Sequence, residues 1–255
     1  MHSKNPESPL SEKQLDRFHK KGFVVVEGLL TESEVEHFVD SESRPKPAEL
    51  RRAPLCNHTV DPDWMHFARH SRVVPIVQQL LDGAPRIVQT MYLEKPPCTD
   101  GKLSQEVAGT SWHQDVHYIR NEPNTLLGCW LALTDTGPEN GGLCAIPGSH
   151  TGGLRSTDVN RDQEHVQWEG EEPMRAPDGR EWTERMHAVQ VTGIEDSEIE
   201  ILTVPRGGGV FFSNMLIHGS YANRSPTNFR KAFTIHYVKE GTWVYRVDIQ
   251  DTLPV

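Results

Sequence analysis

Residues 110–119 read TSWHQDVHYI, a run rich in β-branched and aromatic side chains that predicts a strand. Alternate side chains of a strand share a face, so His113 and Asp115 are expected on one side and Gln114 on the other. Further along, residues 210–223, VFFSNMLIHGSYAN, carry an apolar run that predicts a second strand reaching His218. In KAFTIHYV, residues 231–238, Ala232, Thr234 and His236 alternate with Phe233, Ile235 and Tyr237. That is a third strand, with Arg230 at its head. Two imidazoles and one carboxylate on one face of an octahedron leave three positions open, the donor set of a catalytic non-haem Fe(II) centre. His113, Asp115 and His218 are therefore the candidate metal ligands and catalytic residues. The His-x-Asp triplet alone is weak, because a chain with 13 His produces such spacings by chance; its setting among strands raises it.

Before residue 86 the pattern is helical. Ser11 with Gln14, and Thr31 with Glu34, form capping-box signals ahead of SEKQLDRFHKKG and TESEVEHFVDSES, and SRVVPIVQQLLDG predicts a third helix closed by Gly83. GFVVVEGLL between the first two reads as a short buried strand. From about Arg86 the chain turns to strands: RIVQTMYLEK, SWHQDVHYI, LGCWLALTD, GLCAIPG, IEILTV, GGVFFSN, HGSY and KAFTIHYV. Helices first and many strands afterwards predict a mainly β, antiparallel core with flanking helices. Residues 155–200 hold 13 acidic residues and 5 Arg with little strand pattern. A connection that long is expected to be a functional loop or an insert.

Three blocks carry a family resemblance: WHQD at 112–115, CWLALTDTGPENGGLCAIPGSH at 129–150 and HGSYANRSPTNFR at 218–230. In order and spacing the chain resembles the phytanoyl-CoA dioxygenase-like Fe(II)/2-oxoglutarate oxygenases. The resemblance implies one domain over residues 1–255, folded as a double-stranded β-helix, a cupin-like jelly roll with the metal at its open end. It also implies that residues 155–200 cover the mouth of the site as a lid. The implied reaction is hydroxylation of a C–H bond of a small organic metabolite, using Fe(II), 2-oxoglutarate and O2 and releasing succinate and CO2. Related halogenases replace the carboxylate ligand with a small residue, so Asp115 argues against halogenation. Desaturation and ring closure stay open, as does the identity of the substrate.

On this reading Arg230 pairs in a planar, bidentate fork with the far carboxylate of 2-oxoglutarate, which buried without a cation would cost several kcal/mol. Ser220, two residues after His218, adds a hydroxyl. Trp130 matches a family position beside the co-substrate, with packing in the core as its alternative. Gln89, Tyr92, His117 and Met215 are candidate substrate contacts, as is Trp243, and Tyr118 joins them if the strand bends. Arg224 lies in a Pro and Asn-rich turn and is expected in an exposed salt bridge. His66 and His70 are four residues apart on a presumptive helix, but no third ligand stands beside them in sequence, which favours surface histidines. Two rival functions remain: a jelly-roll metal enzyme that does not use 2-oxoglutarate, and a non-catalytic metal-containing binding module. Arg230 tells against both, since neither has a dicarboxylate to anchor.

Net charge is −10 with no block of Lys and Arg, which disfavours nucleic acid and anionic membrane as partners. No apolar run approaches the roughly 20 residues of a membrane span, and the N-terminus lacks a secretory h-region. A cytoplasmic protein acting on a small molecule is expected. Cys56, Cys98, Cys129 and Cys144 show no CxxC spacing and read as buried reduced thiols. Oligomeric state is not readable.

Overall fold

The computed structural model describes residues 8–50 and 55–255. Helices α1 (Glu12–Lys21), α2 (Glu32–Glu42), α3 (Pro62–Ala68) and α4 (Val74–Leu81) precede most of the strands. The strands are β1 (Phe23–Val26), β2 (Pro85–Lys95), β3 (Thr110–His113), β4 (Asn121–Glu122), β5 (Leu127–Ala132), β6 (Leu143–Ala145), β7 (Thr157–Val159) and β8 (Glu169–Arg175). They continue as β9 (Glu181–His187), β10 (Val189–Val191), β11 (Glu200–Ile201), β12 (Gly209–Ser213), β13 (His218–Ser220), β14 (Arg230–Lys239), β15 (Trp243–Val244) and β16 (Leu253–Pro254). Both predicted capping boxes form: the Ser11 and Thr31 side chains accept from the backbone N–H of Gln14 and Glu34, whose own side chains reach back to the cap N–H. Gly22 closes α1 in the left-handed region at φ 82°, which glycine enters without a Cβ penalty.

A six-stranded sheet in the order β1-β12-β5-β14-β2-β16 faces a four-stranded sheet in the order β11-β6-β13-β3, and every pairing in the two is antiparallel. This is a double-stranded β-helix. Period-two alternation sorts the larger sheet's residues onto two cores. Cys129, Leu131, Phe211, Phe233, Ile235 and Tyr237 pack outward on the helices, against Phe38, Trp64, Phe67, Ile76 and Val77. Trp130, Ala132, Val210, Phe212 and Ala232 point inward and meet Leu143 and Ala145 of the smaller sheet. The helices thus seal one face and leave the other for the site.

Aromatic contacts hold the helix layer down. Phe38 lies 4.6 Å from the Phe67 ring and 5.1 Å from that of Phe233, and Phe38 and Phe233 are fully buried. Phe38→Ala is expected to cost about 3–5 kcal/mol, measured as a fall in the urea midpoint. Its effect on ligand affinity should be small, because the site lies on the opposite face of the sheet.

Two expectations change here. Residues 155–200 are not an unstructured connection: β8 and β9 form a hairpin in continuous register from Glu169↔His187 to Arg175↔Glu181, and β7 pairs with β10. Charged side chains line both faces of β8, which hides any hydrophobic alternation. α3 is also shorter than a helix carrying both His66 and His70: Asp61 caps it, Pro62 opens it, and it ends at Ala68, before His70. All four cysteines are buried, and Cys98, Cys129 and Cys144 are free thiols.

Candidate metal centre and its cavity

β3 stops at His113, and Gln114 stays extended (φ −116°, ψ 130°) before Asp115 opens a short 3-10 turn, Asp115–His117. The expected continuous strand is therefore broken, yet the turn still carries the carboxylate round to the histidine side. His218 opens β13 and sits opposite His113 in the ladder, with ring centroids 4.3 Å apart. Asp115 Oδ1 lies 3.5 Å from His113 Nε2 and 3.7 Å from His218 Nε2. All three residues are buried. Gln114 points away and donates to the carbonyls of Gly153 and Met215, tying neighbouring loops to the ligand strand.

The protonation states suit a cation. His113 Nδ1 lies 2.8 Å from the Ser111 carbonyl and His218 Nδ1 lies 3.0 Å from that of Leu216. A carbonyl only accepts, so each Nδ1 carries the proton and each Nε2 lone pair faces the centre. Burial pushes His218 down to about 4, with His113 adding to the effect. Burial opposes ionisation of Asp115, but the His236 and His218 imidazoles outweigh it and hold its carboxyl well below the usual carboxylate range. Two nitrogen lone pairs and one carboxylate thus converge, the donor chemistry that non-haem Fe(II) takes.

A second cluster shows what a poor metal site looks like. His70 is buried, which corrects the expectation of a surface histidine, and Glu34 of α2 supplies the third donor that was absent in sequence. However, the Arg72 backbone N–H donates to His70 Nδ1 at 3.2 Å, so the proton sits on Nε2, which donates to Glu34 Oε1 at 3.0 Å. No lone pair remains for a metal. Hydrogen bonds from Thr31 bring Glu34 down to about 2, as befits the capping carboxylate of α2.

The triad opens into a cavity of about 640 Å³ between the sheets. Alternate residues of β2 (Gln89, Met91, Leu93) and of β14 (Arg230, Thr234, His236) line it together with Trp130. At one end Arg230 and Lys95 face each other directly across the β14–β2 ladder. Lys95 Nζ donates to Ser220 Oγ (2.8 Å) and the Tyr221 carbonyl (2.7 Å). Arg230 donates from Nη1 to the Leu93 carbonyl, while its buried Nε has no partner. Among the described residues neither cation has a carboxylate partner. Burial brings Arg230 down to about 10, and burial with repulsion from Arg230 pushes Lys95 well below the ordinary lysine value. Like charges opposed in a ladder destabilise it, so the pair is arranged for an anion that the chain does not itself supply. Ser220 Oγ also accepts from Thr110 N–H at 3.1 Å, which leaves its proton free to donate into the cavity.

The other candidates divide. His113, Asp115, His218, Arg230, Ser220, Trp130 and Gln89 come together at the cavity, and Tyr118 joins them through the bend at Asp115. Tyr92 does not line it: the residue falls on the helix face of β2, edge-on to Phe38, and its hydroxyl donates to Glu94. Met215 and His117 are also absent from the lining; the Met215 carbonyl accepts from Gln114, and the 3-10 turn carries His117 off the face of His113. Trp243 instead donates to the Arg175 carbonyl beneath the hairpin. Arg224 pairs with Glu164 at 3.0 Å on the surface. Sequence reasoning missed Lys95 and His236. Both lie in period with residues already identified, Lys95 six positions beyond Gln89 and His236 six beyond Arg230.

Such a triad inside a jelly roll, with buried Arg230 in the same cavity and Lys95 beside it behind Ser220, defines a non-haem iron, 2-oxoglutarate-dependent oxygenase. The model of the phytanoyl-CoA dioxygenase (PhyH) family matches residues 18–232, and the chain belongs to that family. The chain is 27% identical over 262 residues to the peroxisomal phytanoyl-CoA dioxygenase of Rattus norvegicus, covering 89% of this chain and 68% of that protein. Among solved structures, EvdO2 from Micromonospora carbonacea var. aurantiaca complexed with 2-oxoglutarate aligns with a TM-score of 0.66 at 19% identity, over 90% of this chain and 91% of that one. The epimerase SnoN in complex with Fe3+, alpha ketoglutarate and nogalamycin RO gives 0.66 at 17% identity, over 92% and 85%. At those identities the likeness is one of fold.

Proposed function

We propose that this chain is an Fe(II)- and 2-oxoglutarate-dependent hydroxylase of a small, neutral, largely apolar organic molecule. The observation that carries the reading is buried Arg230, in one cavity with the triad and Ser220, with Lys95 opposite it in the ladder and bonded to Ser220, and neither cation with a carboxylate partner among the described residues. His113, Asp115 and His218 would hold the iron. Arg230 and Lys95 would take the distal carboxylate of 2-oxoglutarate, with the Ser220 hydroxyl donating a third bond and Trp130 flanking the chain of the acid. Bound together, iron and 2-oxoglutarate supply the oxidising power: one atom of O2 enters the substrate as hydroxyl and the other enters succinate, with loss of CO2.

The remaining lining supports the substrate class. Tyr118 lies between His113 and Trp168, with ring centroids at 5.5 and 5.3 Å, so an aromatic wall runs outward from the metal ligands. Leu55, Met91, Leu93, Ile119 and Val166 add apolar surface. Among the described lining residues the other cation, Arg246, is already engaged by Asp248 (2.7 Å) and Glu172 (3.4 Å), so that lining offers no free positive site for the phosphates of an acyl-CoA. Gln89 Oε1 and Thr234 Oγ1 are buried without partners at the wall, which favours a substrate that brings a hydrogen-bond donor. Val166, Trp168 and Glu172 reach the cavity from the 155–200 segment, and we read that segment as the lid that keeps water from the reacting centre. The chain acts, on this reading, as one catalytic unit in the reducing cytoplasm, in keeping with the free thiols of Cys98, Cys129 and Cys144.

The test is an anaerobic titration of metal-free protein with Fe(II) and 2-oxoglutarate, following the visible metal-to-ligand charge-transfer band of a chelated 2-oxo acid. A band that disappears in Arg230→Ala at the same 2-oxoglutarate concentration supports the reading; iron binding without the band overturns it. Lys95→Met is expected to weaken 2-oxoglutarate binding by roughly 10- to 100-fold, the loss of one charge-assisted hydrogen bond, with iron affinity unchanged by calorimetry.

A further inference from the structure

His236 touches the metal centre without being one of its three ligands. It lies opposite Gln89 in the β14–β2 ladder, at the point where the register shifts between His236 and Tyr237. A bulge there re-aims side chains next to a site. His236 Nε2 is 3.1 Å from Asp115 Oδ2, the oxygen that does not face His113 and His218. His236 Nδ1 is 3.2 Å from Gln89 Nε2. All three residues are buried.

With the Gln89 amide as placed, the protons on both contacts are fixed. The Gln89 amide N–H donates to Nδ1, so the imidazole proton sits on Nε2 and is donated to the carboxylate. With the amide turned over, Nδ1–H would donate to Oε1, and Nε2 would need a second ring proton to donate to the carboxylate. We propose that Gln89 and His236 are positioning residues that engage Asp115 Oδ2 and so present Oδ1 alone to the metal. The inference rests on the metal assignment above. Without the His236 donor, the carboxylate is free to turn about its Cβ–Cγ bond and to offer either oxygen or both, at the expense of the positions meant for co-substrate. Groups that orient metal ligands in this way typically govern affinity by about 10- to 100-fold.

The experiment is calorimetric titration of metal-free protein with Mn(II), which needs neither turnover nor a known substrate. His236→Leu is expected to bind Mn(II) about 10- to 100-fold more weakly than the parent. His236→Gln, whose amide N–H can reach Oδ2, is expected to recover most of the loss. Gln89→Met, which frees the imidazole to change tautomer, should fall between His236→Leu and the parent. Thermal melts by circular dichroism report whether each variant is folded, and if His236→Leu does not fold the other two variants carry the test. Parental affinity in His236→Leu would overturn the proposal. So would a His236→Gln variant as weak as His236→Leu, because shape rather than a donated proton would then set the affinity. Failure of the parent protein itself to bind Mn(II) would instead remove the metal assignment.

Discussion

Asp115→Ala should reduce succinate formation to the level of a no-enzyme control while the protein stays folded. The substitution removes the one carboxylate of the triad and leaves the imidazoles of His113, His218 and His236 around the space it occupied. Imidazoles alone still attract a divalent cation, so some metal binding should survive. What is lost is the negative charge that offsets the cation in a buried site, together with the hydrogen-bond acceptor that orients His236. Succinate assays at saturating iron separate the two effects: restored turnover at high metal would make Asp115 a mere contributor to affinity, and the catalytic assignment of the triad would fail.

Arg230→Met should have opposite effects on stability and on binding. In the folded protein burial brings the guanidinium from 12.5 down to about 10. Below about pH 10 the group is charged in both folded and unfolded chains, and the folded chain bears the full desolvation cost, on the order of 3 kcal/mol. The cost fades as pH rises from about 10 towards 12.5, where the folded form sheds its proton first. At neutral pH the ligand-free Arg230→Met variant should therefore melt higher than the parent, by roughly 2–4 °C for each kcal/mol recovered. Affinity for 2-oxoglutarate should fall by about 2–5 kcal/mol, roughly 30- to several-thousand-fold, because one partner of a buried charge pair is gone. Differential scanning with and without 2-oxoglutarate reads both effects. A variant that melts lower and keeps its 2-oxoglutarate shift would mean that Arg230 is a structural residue.

The parts of this molecule that could be read from sequence are those where short-range chemistry and tertiary structure agree. Ser11 and Thr31 cap helices because the hydrogen bonds involved span three residues. Ala232, Thr234 and His236 separate from Phe233, Ile235 and Tyr237 because two buried faces impose a period of two. His113 and Asp115 reach one centre, though not for the reason their spacing suggests: the strand gives way to a turn, and the turn restores the alignment. What escaped notice was set by contacts distant in sequence. Lys95 acquires its meaning from Arg230 across the ladder, and His236 from Asp115, 121 positions away. The β8–β9 hairpin has few apolar side chains to betray it, although Pro177, Asp178 and Gly179 spell a turn at its tip. Tyr92 was misplaced by a single step in register, which on a strand exchanges one face for the other.

That hairpin is fastened to the rest of the protein largely by the last stretch of the chain. Arg175 N–H donates to the Tyr245 carbonyl at 2.8 Å, Trp243 Nε1 returns a bond to the Arg175 carbonyl, and Met174, Met186 and Tyr245 share a small core of their own. None of these residues touches the triad or the cation pair. The outer cavity wall formed by Val166, Trp168 and Glu172 and the triad are therefore carried by separable passages of the sequence. Exchange of residues 166–187 along with 243–250 between relatives should transplant the one and spare the other.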